Sequence, residues 1–200
     1  MKTLFLSLKG GVGKSSIATV MASITGYSYV TNDLTVPTAH KDKIIQIESN
    51  KKRIPKSILD LEDTIFDFGA NSTHLDPKIS QLLYHVNLII IPMLPDQRSL
   101  VATLETIRLL DEIKVPIVII INNFKDMRKY EKFRDILINK LGKTPIYYIR
   151  ETTLFNRITE DGYDWYQNIH NAMGEYQLQK TNLHVTNVIK RALAHAKVIV

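Results

Sequence analysis

Cysteine is missing from all 200 residues, which removes disulfides, thiolate nucleophiles and thiolate-held zinc or iron–sulfur clusters from consideration. Its absence fits a reducing cytoplasm, the compartment expected for this chain. Tryptophan occurs once, and glycine and proline only eight and seven times, so low-complexity and Pro/Gly-rich architectures are excluded. No stretch approaches the roughly 20 apolar residues that a membrane span needs. The opening MKTLFLSLKGG sets apolar residues after a lysine, yet the run stops at Lys9 without a small-residue cleavage site, unlike a secretory signal. Acidic residues are the scarcer sign, 20 against 26 basic ones, giving a net charge of +6. That mild excess admits a polyanionic partner without requiring one.

What is present reads as a single α/β domain over residues 1–200, a length that supports one substantial core. Short apolar runs suited to buried strands lie at 3–8, 27–31, 43–47, 64–68, 87–91, 116–121 and 145–149. Runs such as LIII and IVIII are continuous rather than alternating, as in parallel strands covered on both faces. Helical spacing fills the gaps between them. Ile17, Val20, Met21 and Ile24 form one stripe before Gly26, and Leu100, Leu104 and Ile107 follow Asp96, a candidate N-cap. Tyr130, Phe133, Leu137 and Leu141 mark a third helix ended by Gly142, and Val185 to Ala196 a last one. NKKRIPKS, residues 50–57, is the most loop-like polar stretch. The expected architecture is three-layered, a mostly parallel twisted sheet with helices on both faces.

TLFLSLKGGVGKSS followed by IATVMASI is a strand, a glycine-rich turn and a helix. Gly10, Gly11 and Gly13 allow the backbone to curl so that N–H groups, Val12 and Ser16 among them, point at phosphate oxygens. The helix start adds its positive dipole end. Lys14 is placed for the β- and γ-phosphates of a nucleotide, and the Ser15 hydroxyl for Mg²⁺. The regular motif opens with glycine at the position of Leu8, so here it fails, and a second lysine, Lys9, stands next to that position.

KGGVGKS resembles the deviant Walker A loop of the ParA/MinD family of P-loop ATPases, with Lys9 at the signature lysine. The resemblance implies ATP and Mg²⁺ as cofactors and a catalytic role for Lys9, which in such proteins crosses to the nucleotide bound by the other subunit. A cation supplied in trans links nucleotide binding to dimerisation and neutralises charge on the transferred group.

DTIFDFGAN places Asp67 after an apolar run and before Gly69. It looks like the family's second switch, whose acidic residue holds the water shell of Mg²⁺; an Asp capping the next helix is the structural alternative. YSYVTNDLTVPT offers only Asp33 where the family carries two acidic residues in its first switch. Asp33 could match either place, the water-orienting one included, or be a turn residue. If it is upstream, Thr35 replaces the expected carboxylate. VPIVIIINNF ends a buried strand with Asn122 and Asn123, before Phe124, and PIYYIRETTLF carries Arg150. The resemblance implies adenine contact for Asn122 and a base-flanking place for Arg150, although asparagines after strands are commonly turn formers. It runs discontinuously from Lys2 to about Trp165.

Arg128, Lys129, Lys132, Arg134 and Lys140 share one helix with Asp126, Glu131 and Asp135 close by, and Lys190, Arg191 and Lys197 lie near the end. A solvated, ion-paired face is the plain reading; the resemblance adds nonspecific DNA bound by the ATP-form dimer. For the last helix, packing on the sheet is favoured over a MinD-like membrane tail, because its stripe is alanine-rich and lacks Phe or Trp.

The expectation is therefore a slow ParA-type ATPase switch in DNA, chiefly plasmid, partition. It would form a homodimer with ATP, associate with the nucleoid, and be stimulated by a ParB-like centromere-binding protein. With nothing before the P-loop strand, sequence-specific reading is expected of that partner. The alternatives are a MinD-like positioning ATPase at the membrane and a metabolic ATP-using enzyme resembling dethiobiotin synthetase, the latter disfavoured by Lys9.

Overall fold

Seven strands form one sheet in the order β3-β2-β4-β1-β5-β6-β7, and each neighbouring pair runs parallel. The computed structural model describes residues 1–33, 44–48, 50–69, 76–155 and 176–196. In chain order the elements are β1 (Lys2–Phe5), α1 (Lys14–Thr25), β2 (Ser28–Thr31), β3 (Ile44–Gln46), α2 (Lys56–Leu59), β4 (Thr64–Asp67) and α3 (Pro77–Leu82). There follow β5 (Leu88–Met93), α4 (Gln97–Arg108), β6 (Ile117–Phe124), α5 (Met127–Leu141), β7 (Ile146–Arg150) and α6 (Tyr176–Leu193).

The apolar runs become strands because both faces are covered. On one face Phe5, Ile65, Ile90, Val118 and Ile149 meet Ile17, Val20 and Met21 of α1 and Val185 and Ile189 of α6. On the other, Leu4, Phe66, Ile89 and Ile91 pack with Ile79 and Leu82 of α3, and Ile119 and Ile121 with Leu100 of α4 and Tyr130, Phe133 and Leu137 of α5. Each fully buried aliphatic side chain is worth roughly 1.5–3 kcal/mol, so these stripes, more than helix propensity, hold the helices in place. The three layers agree with the sequence-based expectation, and α6 is a packed helix. Among the described residues no helix is long and apolar enough to cross a membrane.

The differences lie at element ends, and two of them build the site. β1 closes at Phe5, earlier than its apolar run suggests. Leu6 N–H still bonds to Ile90 O at 3.0 Å, but then Ser7 Oγ and the Lys9 backbone exchange bonds of 3.3 Å, which turns the chain into the loop. β6 instead runs past Ile121 to Phe124, with its register broken between them and Asn123 at φ 56°. Asn123 is exposed there, and Asn122, continuing the alternation of Val118 and Ile120, is only 4% exposed.

The polar stretch at 50–57 is cut short by α2, which starts at Lys56. α3 had no sequence stripe long enough to announce it; Asp76 caps it by accepting from Lys78 N–H, with Pro77 in the first turn. Asp96 caps α4 by accepting from Ser99 N–H, as its position suggested.

Candidate functional site

β1 is the central strand, with β4 on one side and β5 on the other, and its carboxyl end is where open α/β sheets place their ligands. The chain leaves it through Leu6 and Ser7, curls with Gly11 at φ 71° and Gly13 at φ 84°, and enters α1, where Ile17 N–H bonds to Gly13 O at 3.0 Å. Gly13 is required twice over. Its left-handed φ suits glycine, and a Cβ there would overlap Asn122 Nδ2. The result is a cleft of about 390 Å³ lined by Ser7, residues 9–16 and Gly69, floored by backbone at a helix N-terminus.

The structure brings the sequence-predicted Gly10, Gly11, Val12, Gly13, Lys14, Ser15, Ser16 and Lys9 to this one cleft. Asp67 ends β4 beside it, 1% exposed. The Lys14 ammonium pairs with Asp67 Oδ1, and the Tyr29 hydroxyl donates to Asp67 Oδ2 at 2.6 Å. Burial, then the charge of Asp67 and the hydrogen bond to it, hold the Tyr29 phenol well above its ordinary pKa, against the opposing Thr19 and Thr31 hydroxyls. Tyr29 is therefore a proton donor to the carboxylate throughout the ordinary pH range.

Lys9 is held by side chains of its own chain. Its ammonium lies 2.9 and 3.1 Å from the two oxygens of Asp96 and 2.7 Å from Ser99 Oγ, with 27% of its side chain exposed. Burial opposes the charge of Asp96, but hydrogen bonds from Lys9 and Ser99 outweigh it and lower the Asp96 pKa.

Asn122 serves the loop: its Nδ2 donates to Val12 O at 3.1 Å, and its buried Oδ1 has no hydrogen-bond partner. Asp33 and Arg150 are not among the cleft-lining residues. Asp33 follows β2, with its N–H on Thr31 Oγ1 at 3.0 Å. Arg150 ends the edge strand β7, its guanidinium 6.0 Å from the centre of the Phe124 ring. Thr35 and Lys197 fall outside the described residues. The basic residues of α5 and α6 sit on helices that cover opposite faces of the sheet.

Sequence reasoning missed Tyr29, Ser7, Ser99 and Asn32, whose Oδ1 accepts from Gly69 N–H at 3.2 Å. Asp96 was visible only as a cap. Tyr29 stands in an apolar run where nothing in the spacing separates it from a core aromatic.

The Ser15 hydroxyl and one Asp67 oxygen are hard donors that fit Mg²⁺, which takes few protein ligands and shares the rest with phosphate and water. Among the described residues no three His, Cys, Asp or Glu side chains gather into a metal site of their own.

No protein-family model matches this sequence, and no curated protein matches it. Solved structures do. A plasmid partition protein from Borrelia burgdorferi B31, bound to AMPPNP, is 17% identical with a TM-score of 0.62, over 95% of this chain and 98% of that one. The pNOB8 ParA bound to nonspecific DNA is 13% identical with a TM-score of 0.64, over 96% and 98%. The cell division ATPase MinD of Pyrococcus furiosus is 14% identical with a TM-score of 0.67, over 95% and 98%. The chain thus has the fold shared by ParA and MinD P-loop ATPases.

Proposed function

We propose that this chain is an ATP-dependent switch of the ParA type, a single ATPase domain that dimerises around bound ATP and acts in DNA partition. The observation that carries the reading is Lys9, a second ammonium at the mouth of a phosphate loop whose own lysine, Lys14, is already in place.

The backbone N–H groups of residues 10–15 and the start of α1 bind the phosphates. Lys14 exchanges Asp67 for the β- and γ-phosphates. Bound Mg²⁺ would neutralise charge on those oxygens, held from the protein side by the Ser15 hydroxyl and Asp67. Lys9, released from Asp96 and Ser99, reaches the triphosphate of a second copy and stabilises the charge that builds during transfer to water. In this reading Asn122 receives the adenine amino group on its free Oδ1, and Arg150 flanks the base. Asp33 orients the attacking water.

Nonspecific DNA would be the track, bound by the ATP-form dimer through scattered basic residues in the cytoplasm, on the nucleoid. A ParB-like protein would stimulate an otherwise slow hydrolysis. The packing of α6 against α1 and β7 favours this over membrane targeting.

The test measures ATP hydrolysis with nonspecific DNA, with anionic liposomes and with neither, beside sedimentation in Mg·ATP and Mg·ADP. Dimers with ATP only, and DNA association that weakens steeply as salt rises, are expected. A sedimentation profile unchanged by ATP would sink the switch, and stimulation by liposomes rather than DNA would replace the partition role.

A further inference from the structure

Tyr29 is a buried hydroxyl placed on a buried carboxylate that the phosphate site needs. It is 2% exposed in β2. In the β2–β4 ladder Tyr29 lies opposite Ile65 and Thr31 opposite Asp67. Alternation puts Tyr29, Thr31, Ile65 and Asp67 on one sheet face, the face covered by α1. The Tyr29 ring therefore lies one step back along the strand from Asp67, and its hydroxyl meets Oδ2 at 2.6 Å, the length of a charge-assisted O–H···O⁻ bond.

The other oxygen, Oδ1, faces Lys14. From the helix side, Thr19 lies against the phenol and donates to Ser15 O at 2.8 Å. Polar groups thus run from the Ser15 backbone carbonyl through Thr19, Tyr29 and Asp67 to Lys14, with Thr31 also at the phenol. A phenylalanine would fill the same core volume, so packing does not explain the hydroxyl.

We infer that Tyr29 is a positioning residue of the nucleotide–metal site: it occupies Oδ2 of Asp67 and reserves Oδ1, in one fixed orientation, for a cation. This rests on the ATPase reading above. Without the phenol the carboxylate is free to rotate, and its pairing with Lys14 competes for both oxygens. Hydrogen bonds that orient a metal's ligand are worth about 10- to 100-fold in metal affinity.

Tyr29→Phe removes the hydroxyl and keeps the ring. The readout is equilibrium binding of a fluorescent, non-hydrolysable ATP analogue, titrated with Mg²⁺ and repeated in EDTA, alongside a melting curve. In the variant, the ratio of affinities with and without Mg²⁺ should fall about tenfold. A folded variant with the wild-type ratio overturns the inference. If the variant does not fold, wild-type protein carrying ¹³C at tyrosine Cζ supplies the answer. One tyrosine signal should move when Mg²⁺ joins the analogue complex, a shift added to whatever the analogue alone causes in EDTA as Lys14 leaves Asp67; no signal moving on addition of Mg²⁺ overturns the inference. Wild-type protein that binds no analogue at any Mg²⁺ concentration overturns instead the ATPase reading beneath it.

Discussion

The two lysines of one loop live in different electrical surroundings. Lys14 faces a carboxylate whose side chain is wholly buried, and Asp67 is held from behind by Tyr29. Lys9 faces Asp96, whose side chain is 41% exposed, at the rim of the cleft. Burying a charge is costly, and removing its partner leaves that cost uncompensated. An exposed pair is screened and contributes little. The inner lysine is therefore fixed to the architecture until a stronger anion arrives, whereas the outer one can leave at almost no expense. Under the proposed switch, the lysine that crosses to a second copy is of the second kind.

The sharpest way to break this comparison is Lys14→Ala. It strands the Asp67 carboxylate in the interior with the Tyr29 hydroxyl as its remaining donor among the described residues. Unfolding in urea should show a loss of about 3 kcal/mol or more, and ATP-analogue binding should disappear. A variant as stable as wild type would mean that the inner pair is no more costly to disrupt than the outer one.

Lys9→Ala is the complementary test, with its effect on turnover instead of stability. The exposed pair with Asp96 is worth less than about 1 kcal/mol, so the urea midpoint should barely move. Nucleotide should still bind, while hydrolysis falls below detection. Turnover at the wild-type rate would make Lys9 a surface residue held by its cap.

How much of this was legible beforehand follows the same division. The strands and the loop were readable because they depend on local patterns: continuous Ile/Val/Leu runs, three glycines, and a helical stripe after Ser16. Lys14 and Ser15 were readable from the strand, glycine turn and helix around them, and Asp67 from the end of a second apolar run. The partners that hold the side chains in place were not. Tyr29 meets Asp67 across 38 positions of sequence, Lys9 meets Asp96 across 87, and Asn122 meets Val12 across 110. Contacts of that range are made by the order of strands in the sheet, and a one-dimensional pattern does not carry them. Asn122 illustrates the limit. Its position at a strand end was visible, yet its bond to the loop joins β6 to the turn after β1, 110 positions away in the chain.

The smallest expected effect sharpens the comparison most finely, because it tests the tether of Lys9 without touching Lys9. Asp96→Asn preserves a good N-cap and removes the charge. The Asp96 pKa is lowered in the folded chain, so folding favours the ionised form. That contribution is complete above the ordinary carboxylate pKa of about 4 and is lost as pH falls through the lowered folded value. Wild type should thus hold a slight stability advantage at neutral pH, under about 1 kcal/mol, and the two urea midpoints should converge in acid. At neutral pH the variant should form ATP-dependent dimers at lower ATP concentration, since Lys9 no longer has to leave an anion before crossing. A dimerisation curve superimposable on wild type would show that the Asp96 contact does not restrain the outer lysine, and that its freedom comes from exposure alone.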